Sequence, residues 1–251
     1  MLLRSRMTRA VRLVLLTVMA VVGGAAGQAS FKITSAGPPP VGISAKLRQQ
    51  LQAEGTRLLH SVRGIDTPLC DLWWAKNIPA SQRGNAGPGI VYGELLPGSF
   101  MGVIHLPGDL EDSYHQKLAA GYYTLRYARV SPPVKGREKK EEDDDDEPAR
   151  NSATNLDVVL LSRSDTDAGV STIPVNRLLE LAKATARGKQ AARMRLLALN
   201  PAYRTFPALV SDDLGNCAVQ FRLFTRTSGG KTEPLAISIL LFILPDFGAE
   251  D

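Results

Sequence analysis

Eleven residues near the end of the chain, "PLAISILLFIL" (234–244), carry a single polar side chain, Ser238. A strand that is apolar at odd and even positions alike cannot turn one face to water, so it needs cover on both sides and a central place in a sheet. The alternative is an exposed edge that binds a partner. Either way the run demands a sheet, and the rest of the chain supplies one.

Short strand-like runs are separated by Gly, Pro, Asn and Ser: "TRLLHSV" (56–62), "PLCDLWWA" (68–75), "GIVYGELL" (89–96) and "SFMGVIHL" (99–106). The clearest is "GYYTLRYARV" (121–130), where Tyr123, Leu125 and Tyr127 share one face and Thr124 and Arg126 the other. "NLDVVLLSR" (155–163) is its expected hairpin partner. "MRLLAL" (194–199), "FPALVS" (206–211) and "NCAVQFRLFTR" (216–226) follow, and "TSGGK" (227–231) turns the chain into the final run. Two helices are expected. Ser44 caps "AKLRQQLQAE", which Gly55 would end, and "IPVNRLLELAKATARG" (173–188) places Val175, Leu178, Leu179 and Ala182 at helical spacing. Many short strands, two short helices and no βαβ alternation predict a mainly antiparallel β-sandwich, Ig-like or jelly-roll-like. Residues 30–43 read as an extended lead-in and 44–251 as a single domain.

Residues 135–150, "KGREKKEEDDDDEPAR", interrupt the 121–130 and 155–163 pair with eight acids and five bases. The seven consecutive acids from Glu141 to Glu147 repel one another and offer nothing to bury, so 131–154 is expected as a disordered acidic loop. The functional alternatives are weak cation capture or docking on a basic surface. A calcium loop needs spaced ligands and a glycine turn, which a solid acid run lacks.

Residues 1–29 have the build of a secretory signal. Arg4, Arg6, Arg9 and Arg12 precede the fourteen-residue apolar stretch "LVLLTVMAVVGGAA", and small Gly27 and Ala29 stand at the −3 and −1 positions of a cleavage site. The stretch is shorter than the roughly 20 residues of a spanning helix, so contact with a membrane is expected only during export. The alternative is an uncleaved N-terminal anchor. Export predicts a periplasmic or secreted protein. It also changes the charge: the chain has 30 bases and 25 acids, and removing 1–29 leaves 26 bases. With near-neutral balance and no concentrated basic cluster, a nucleic-acid partner is not expected.

Cys70 and Cys217 are the two cysteines. Each alternates with apolar neighbours, so each should face inward, and in an oxidising compartment the pair suits a disulfide worth about 4–5 kcal/mol. Two buried thiols are the other reading.

No catalytic motif is present: there is no G-x-S-x-G, H-E-x-x-H, P-loop or G-x-G-x-x-G. His60, His105 and His115 match no familiar metal spacing, so neither a metal nor a cofactor is expected. Trp73, if exposed while Trp74 packs inward with Cys70, would offer a flat platform, and Tyr92, Glu94 and Tyr114 lie in an aromatic and acidic stretch that could bind a glycan. Glu94, Asp109, Glu111 and Asp112 are the carboxylates from which a hydrolytic pair could come, provided two of them lie within about 5–10 Å.

"YGELLPGSFMGVIHLPG", "LAAGYYTLRYA", "VVLLSRSDTD" and "LVSDDLGNCAVQFRL" resemble a family of exported bacterial β-rich proteins of unknown function. The resemblance covers roughly 45–245. It implies an exported β-rich domain, supplies no site residues, and places the acidic block where a Gly-rich connection would stand. Together these features predict a non-catalytic binding or structural-interaction domain for a glycan, a lipid or an envelope protein. The alternative is a carboxylate-based hydrolase of envelope or extracellular polymer.

Overall fold

The computed structural model describes residues 30–81, 87, 89–112, 116–130, 156–186, 190–211 and 217–242. Residues 1–29, expected as a signal, and 131–154, expected as a disordered loop, fall outside them. In chain order the elements are β1 (Ser30–Gly37), α1 (Ala45–Gln50), β2 (Gly55–Val62), β3 (Ile65–Trp74), β4 (Ile78–Ala80), β5 (Phe100–Leu106), β6 (Leu110–Glu111) and β7 (Lys117–Leu118). They continue with β8 (Gly121–Val130), β9 (Leu156–Arg163), α2 (Val175–Ala186), β10 (Arg193–Leu197), β11 (Ala208–Ser211), β12 (Cys217–Thr227) and β13 (Thr232–Phe242).

The chain is mainly β with two helices, as expected, but its strands form one hydrogen-bonded path rather than two stacked sheets. The order is β1-β2-β3-β5-β8-β9-β10-β13-β12-β11, with every neighbouring pair antiparallel. Short β4 adds a parallel pairing to β12, which makes the sheet mixed, and β6 and β7 pair apart from it. The path curls on itself. Trp74 of β3 meets Phe221 of β12 edge-on, with ring centroids 4.9 Å apart, although the two strands lie near opposite ends of the path. β4 follows β3 closely in sequence, so its pairing with β12 helps draw the curl closed.

Alternation explains the curl's interior. Tyr123, Leu125 and Tyr127 of β8, Val159 and Leu161 of β9, Ile237 and Ile239 of β13, and Phe221 and Leu223 of β12 all face inward and share one core. Large apolar side chains from facing strands meet there, so the centre is packed like any other core. The outer face is covered only in places. Ala128 of β8 and Val158 and Leu160 of β9 pack under Leu178 and Ala182 of α2. That second layer is why "VVLL" is apolar at every position. β13 sits between β10 and β12, the central place its composition demands.

Other boundaries differ from expectation. The lead-in is partly strand, since β1 pairs with β2. Helix α1 is capped by Ser44, whose side chain accepts from Leu47 N, but it stops at Gln50. Gly55 instead opens β2, where the Trp73 indole occupies the space a Cβ would need. Residues 89–96 form turns rather than a strand, apart from a single bridge between Leu95 and Ala80. Gly98, at φ +84°, is required there: a side chain would strike the carbonyl of Ile173. The 121–130 and 156–163 strands pair in register up to Val130 and Leu156, the last described residues before 131–155.

Candidate functional site

Trp73 is not an exposed platform. It is 2% exposed, and its indole N–H donates to the Gly37 carbonyl at 2.9 Å. Its face of β3 points out of the curl, and the indole lies across Gly55 of β2 to reach Gly37 at the end of β1. Tyr92 is also buried. Glu94 is half-buried and Asp109 is exposed, accepting a bond from Ala120 N. Tyr114 and His115 lie outside the described residues. Trp73 and Tyr92 are therefore not exposed ring platforms. Cys70 is buried facing the core, while the Cys217 side chain lies outside the described residues, as does any test of the bridge.

Of the carboxylates considered for catalysis, Asp109, Glu111 and Asp112 belong to one short stretch around the β6–β7 pair. Asp112 is fully buried and accepts backbone N–H bonds from Gln116 and Arg193. Asp71, on the outer face of β3, takes both Nε and Nη2 of Arg57 at 2.6 and 2.9 Å. His105 stacks on Tyr122 at 4.4 Å, with its Nδ1 3.7 Å from Asp71. Among the described residues no three His, Cys, Asp or Glu converge on a metal position.

One end of the curl holds a polar plug. β10 stops at Leu197 while β13 runs on, so the next rung of the ladder lacks a strand partner. Tyr92 supplies it: its hydroxyl donates to the Leu197 carbonyl at 2.7 Å and accepts from Ser238 N at 2.8 Å. The N–H groups of Val91 and Tyr92 both point at one oxygen of Asp157. The other oxygen accepts the Tyr127 hydroxyl at 2.6 Å, and Arg129 Nε donates to that hydroxyl at 2.9 Å. Burial pushes Tyr92 up to about 12 and raises Tyr127 as well, because a phenolate would be stranded there beside Asp157. These phenols are held neutral and fully bonded, which is a structural arrangement rather than a reactive one.

A second buried cluster lies on the outer face of β8. Arg126 is fully buried and uses all five guanidinium N–H groups. Nε and Nη2 clasp Asp167 at 2.6 and 2.9 Å, Nη2 also reaches the Gly169 carbonyl, and Nη1 reaches those of Gly98 and Ser171. Thr124 donates to Asp167 as well. The cluster pins residues 167–171 and Gly98 against the sheet.

The outer face of the β12–β13 hairpin differs. Arg222, Phe224 and Arg226 alternate along β12 on the side opposite Phe221 and Leu223, and all three are exposed, Phe224 by 43%. Arg222 lies 5.1 Å from the Phe206 ring centroid. Arg195 of β10 shares the face, and exposed Arg204 sits beside Phe206 in the chain. β13 brings no acid to this side: it contributes Thr232, Pro234, Ala236, Ser238 and Leu240, and Glu233 sits on the opposite side, paired with Lys231. Sequence reasoning passed over these residues, although "FRLFTR" spells the alternation out. Exposed Arg and aromatic side chains are what binding surfaces are enriched in. Just behind them, Gln220 is 1% exposed, and neither its Oε1 nor its Nε2 has a hydrogen-bond partner among the described residues.

Comparison of the chain with protein-family models, curated proteins and solved structures returns no match.

Proposed function

We propose that this protein is an exported, non-catalytic binding or structural-interaction domain of the cell envelope or extracellular space, and that it binds through the outer face of the β12–β13 hairpin. The carrying observation is the Arg222–Phe224–Arg226 array: two exposed guanidinium groups flanking an exposed ring, beside β13 residues that carry no acid on that face. Such an array suits an anionic glycan, lipid or envelope protein. The core supports the same conclusion from the other side. Trp74 and Phe221 fill the centre of the curl, so binding falls to the exterior. In fold terms the curled sheet takes the place of a sandwich, its two halves facing across that ring pair. Export through residues 1–29, kinship with the exported bacterial β-rich family and a Cys70–Cys217 bridge belong to the same proposal.

Of the carboxylates the hydrolase alternative would draw on, Asp112 is buried and held by backbone N–H groups. Asp71, Asp112, Asp157 and Asp167 are each committed to guanidinium, phenol or backbone N–H groups.

A thermal-shift panel tests the proposal, using neutral glycans, polygalacturonate, phosphatidylglycerol vesicles and divalent cations. A ligand that binds only the native state raises its apparent stability. The expected result is a rise with an anionic class that disappears in Arg222→Ser/Arg226→Ser, with the unliganded melting temperature unchanged. A rise that survives the double substitution, or turnover of a polymer, would overturn it.

A further inference from the structure

The arginine face and the acid run of the same chain are placed within reach of each other by strand register. The last pair of the β8–β9 ladder is Val130 and Leu156, from which residues 131–155 depart. Arg195 pairs with Val158 and with Leu240. Leu197 pairs with Ser238 and Ser238 with Gln220, so this row lies at the same end of the sheet as Val130 and Leu156. Beyond it β10 has ended, and β12 and β13 run on as an arm whose β12 edge is paired only by short β4, at Thr225–Thr227. Arg222, Phe224 and Arg226 stand on that arm, at the end from which the acidic segment leaves.

Distance allows a meeting. Three strand spacings of about 4.8 Å separate β9 from β12, and Arg226 lies about 20 Å along the strand from Gln220. Leu156 and Arg226 are thus about 25 Å apart. The nine-residue span from Glu147 to Leu156 reaches about 30 Å when extended. Charge favours it too. Glu141–Glu147 is seven consecutive acids, and Arg195, Arg204, Arg222 and Arg226 have no carboxylate partner among the described residues. A tether of this length holds the acids at an effective concentration of about millimolar near the arm, enough for several weak charge contacts to be populated together.

We infer that the outer face of the β12–β13 arm docks the chain's own acid run, Glu141–Glu147, in cis through Arg222 and Arg226. The contact is electrostatic, so it weakens as salt shortens the range of exposed charges to a few ångströms. Where the face also binds an external anion, as proposed above, the acid run is its built-in competitor.

Zero-length cross-linking of the full-length Arg222→Lys/Arg226→Lys variant tests this, since lysine keeps the charge and supplies an amine for carbodiimide coupling to carboxylates. The expected result is links from positions 222 or 226 to the 141–150 peptide, lost in about 0.5 M salt and absent when the seven acids are replaced by serine. Mixing with a ¹⁵N-labelled copy should leave these links within single chains. Links only between light and heavy chains would overturn the cis assignment, and so would the absence of links at both positions. Polygalacturonate binding separates this inference from the functional reading. Serine replacement should tighten it about three- to tenfold. Unchanged polygalacturonate affinity with no cross-links sinks the inference and leaves the binding function standing, whereas cis cross-links without any external ligand do the reverse.

Discussion

Arg126 and Arg222 stand on the same outward side of one sheet, each alternating with inward aromatic or aliphatic neighbours, and they meet opposite fates. Arg126 lies where the chain doubles back: residues 167–171, leading into α2, fold over β8 and supply a carboxylate and two carbonyls, with a third from Gly98. Arg222 lies on an arm that outgrows β10, with Phe206 as its neighbour and no carboxylate from β13 on its side. The difference teaches that a polar residue on the outer face of a strand is neither core nor surface by itself. The covering segment decides, and a guanidinium is suited to both because its five donors can be satisfied by carbonyls as well as by water or an anion.

The largest expected effect comes from uncovering that contrast at its buried end. Asp167→Ala leaves Arg126 buried without its counter-ion and should cost about 3–5 kcal/mol in chemical denaturation, while Arg126→Met/Asp167→Leu should recover much of the loss. A loss below about 1 kcal/mol for the single change would show that the cluster is dispensable.

Next comes the plug. Tyr92→Phe removes the hydroxyl bridging Leu197 and Ser238 and should cost about 1–3 kcal/mol. It carries a pH signature. Folding holds Tyr92 at about 12, above the roughly 10 of an unfolded tyrosine. Its contribution is therefore whole below about pH 10 and is lost as pH rises towards 12. The denaturation midpoint should fall over that window, and less steeply in Tyr92→Phe; equal slopes would remove Tyr92 from the alkaline response.

Gln220 marks the border between the two regimes, buried yet unpartnered among the described residues. Gln220→Met keeps the length and drops both unmet polar atoms, so stability should stay level or rise by about 1 kcal/mol. A clear loss would mean that the amide is bonded in solution. Smallest of all, Arg222→Ser/Arg226→Ser should leave stability within about 0.5 kcal/mol of the parent while abolishing anion binding. A large loss would show the arm to be covered as Arg126 is.

Much of the fold was legible because period-two alternation reports which residues share a face. The β8–β9 pairing, the central place of β13, the Ser44 cap and the helix over 175–186 all follow from local pattern. β1 was missed because "SFKITSAG" is short, polar and unflanked by turn residues on one side. Residues 89–96 misled in the opposite direction: Tyr92 looks like a strand residue, but its hydroxyl completes a ladder belonging to β10 and β13, distant in sequence. The exposure expected of Trp73 failed for the same kind of reason. Adjacent Trp73 and Trp74 were read as one in, one out, and both are buried, Trp73 with its indole laid across Gly55 and bonded to Gly37.

Composition and alternation by themselves determined that this chain is strand-rich, which side chains share a face, and which strand must be central, since those depend on burying apolar surface at a fixed period. Which outer faces are covered, that the sheet curls into one path, and that Arg126 is locked while Arg222 and Arg226 stand open were decided only by tertiary structure. Cover comes from segments far along the chain, and no local pattern records where they will lie.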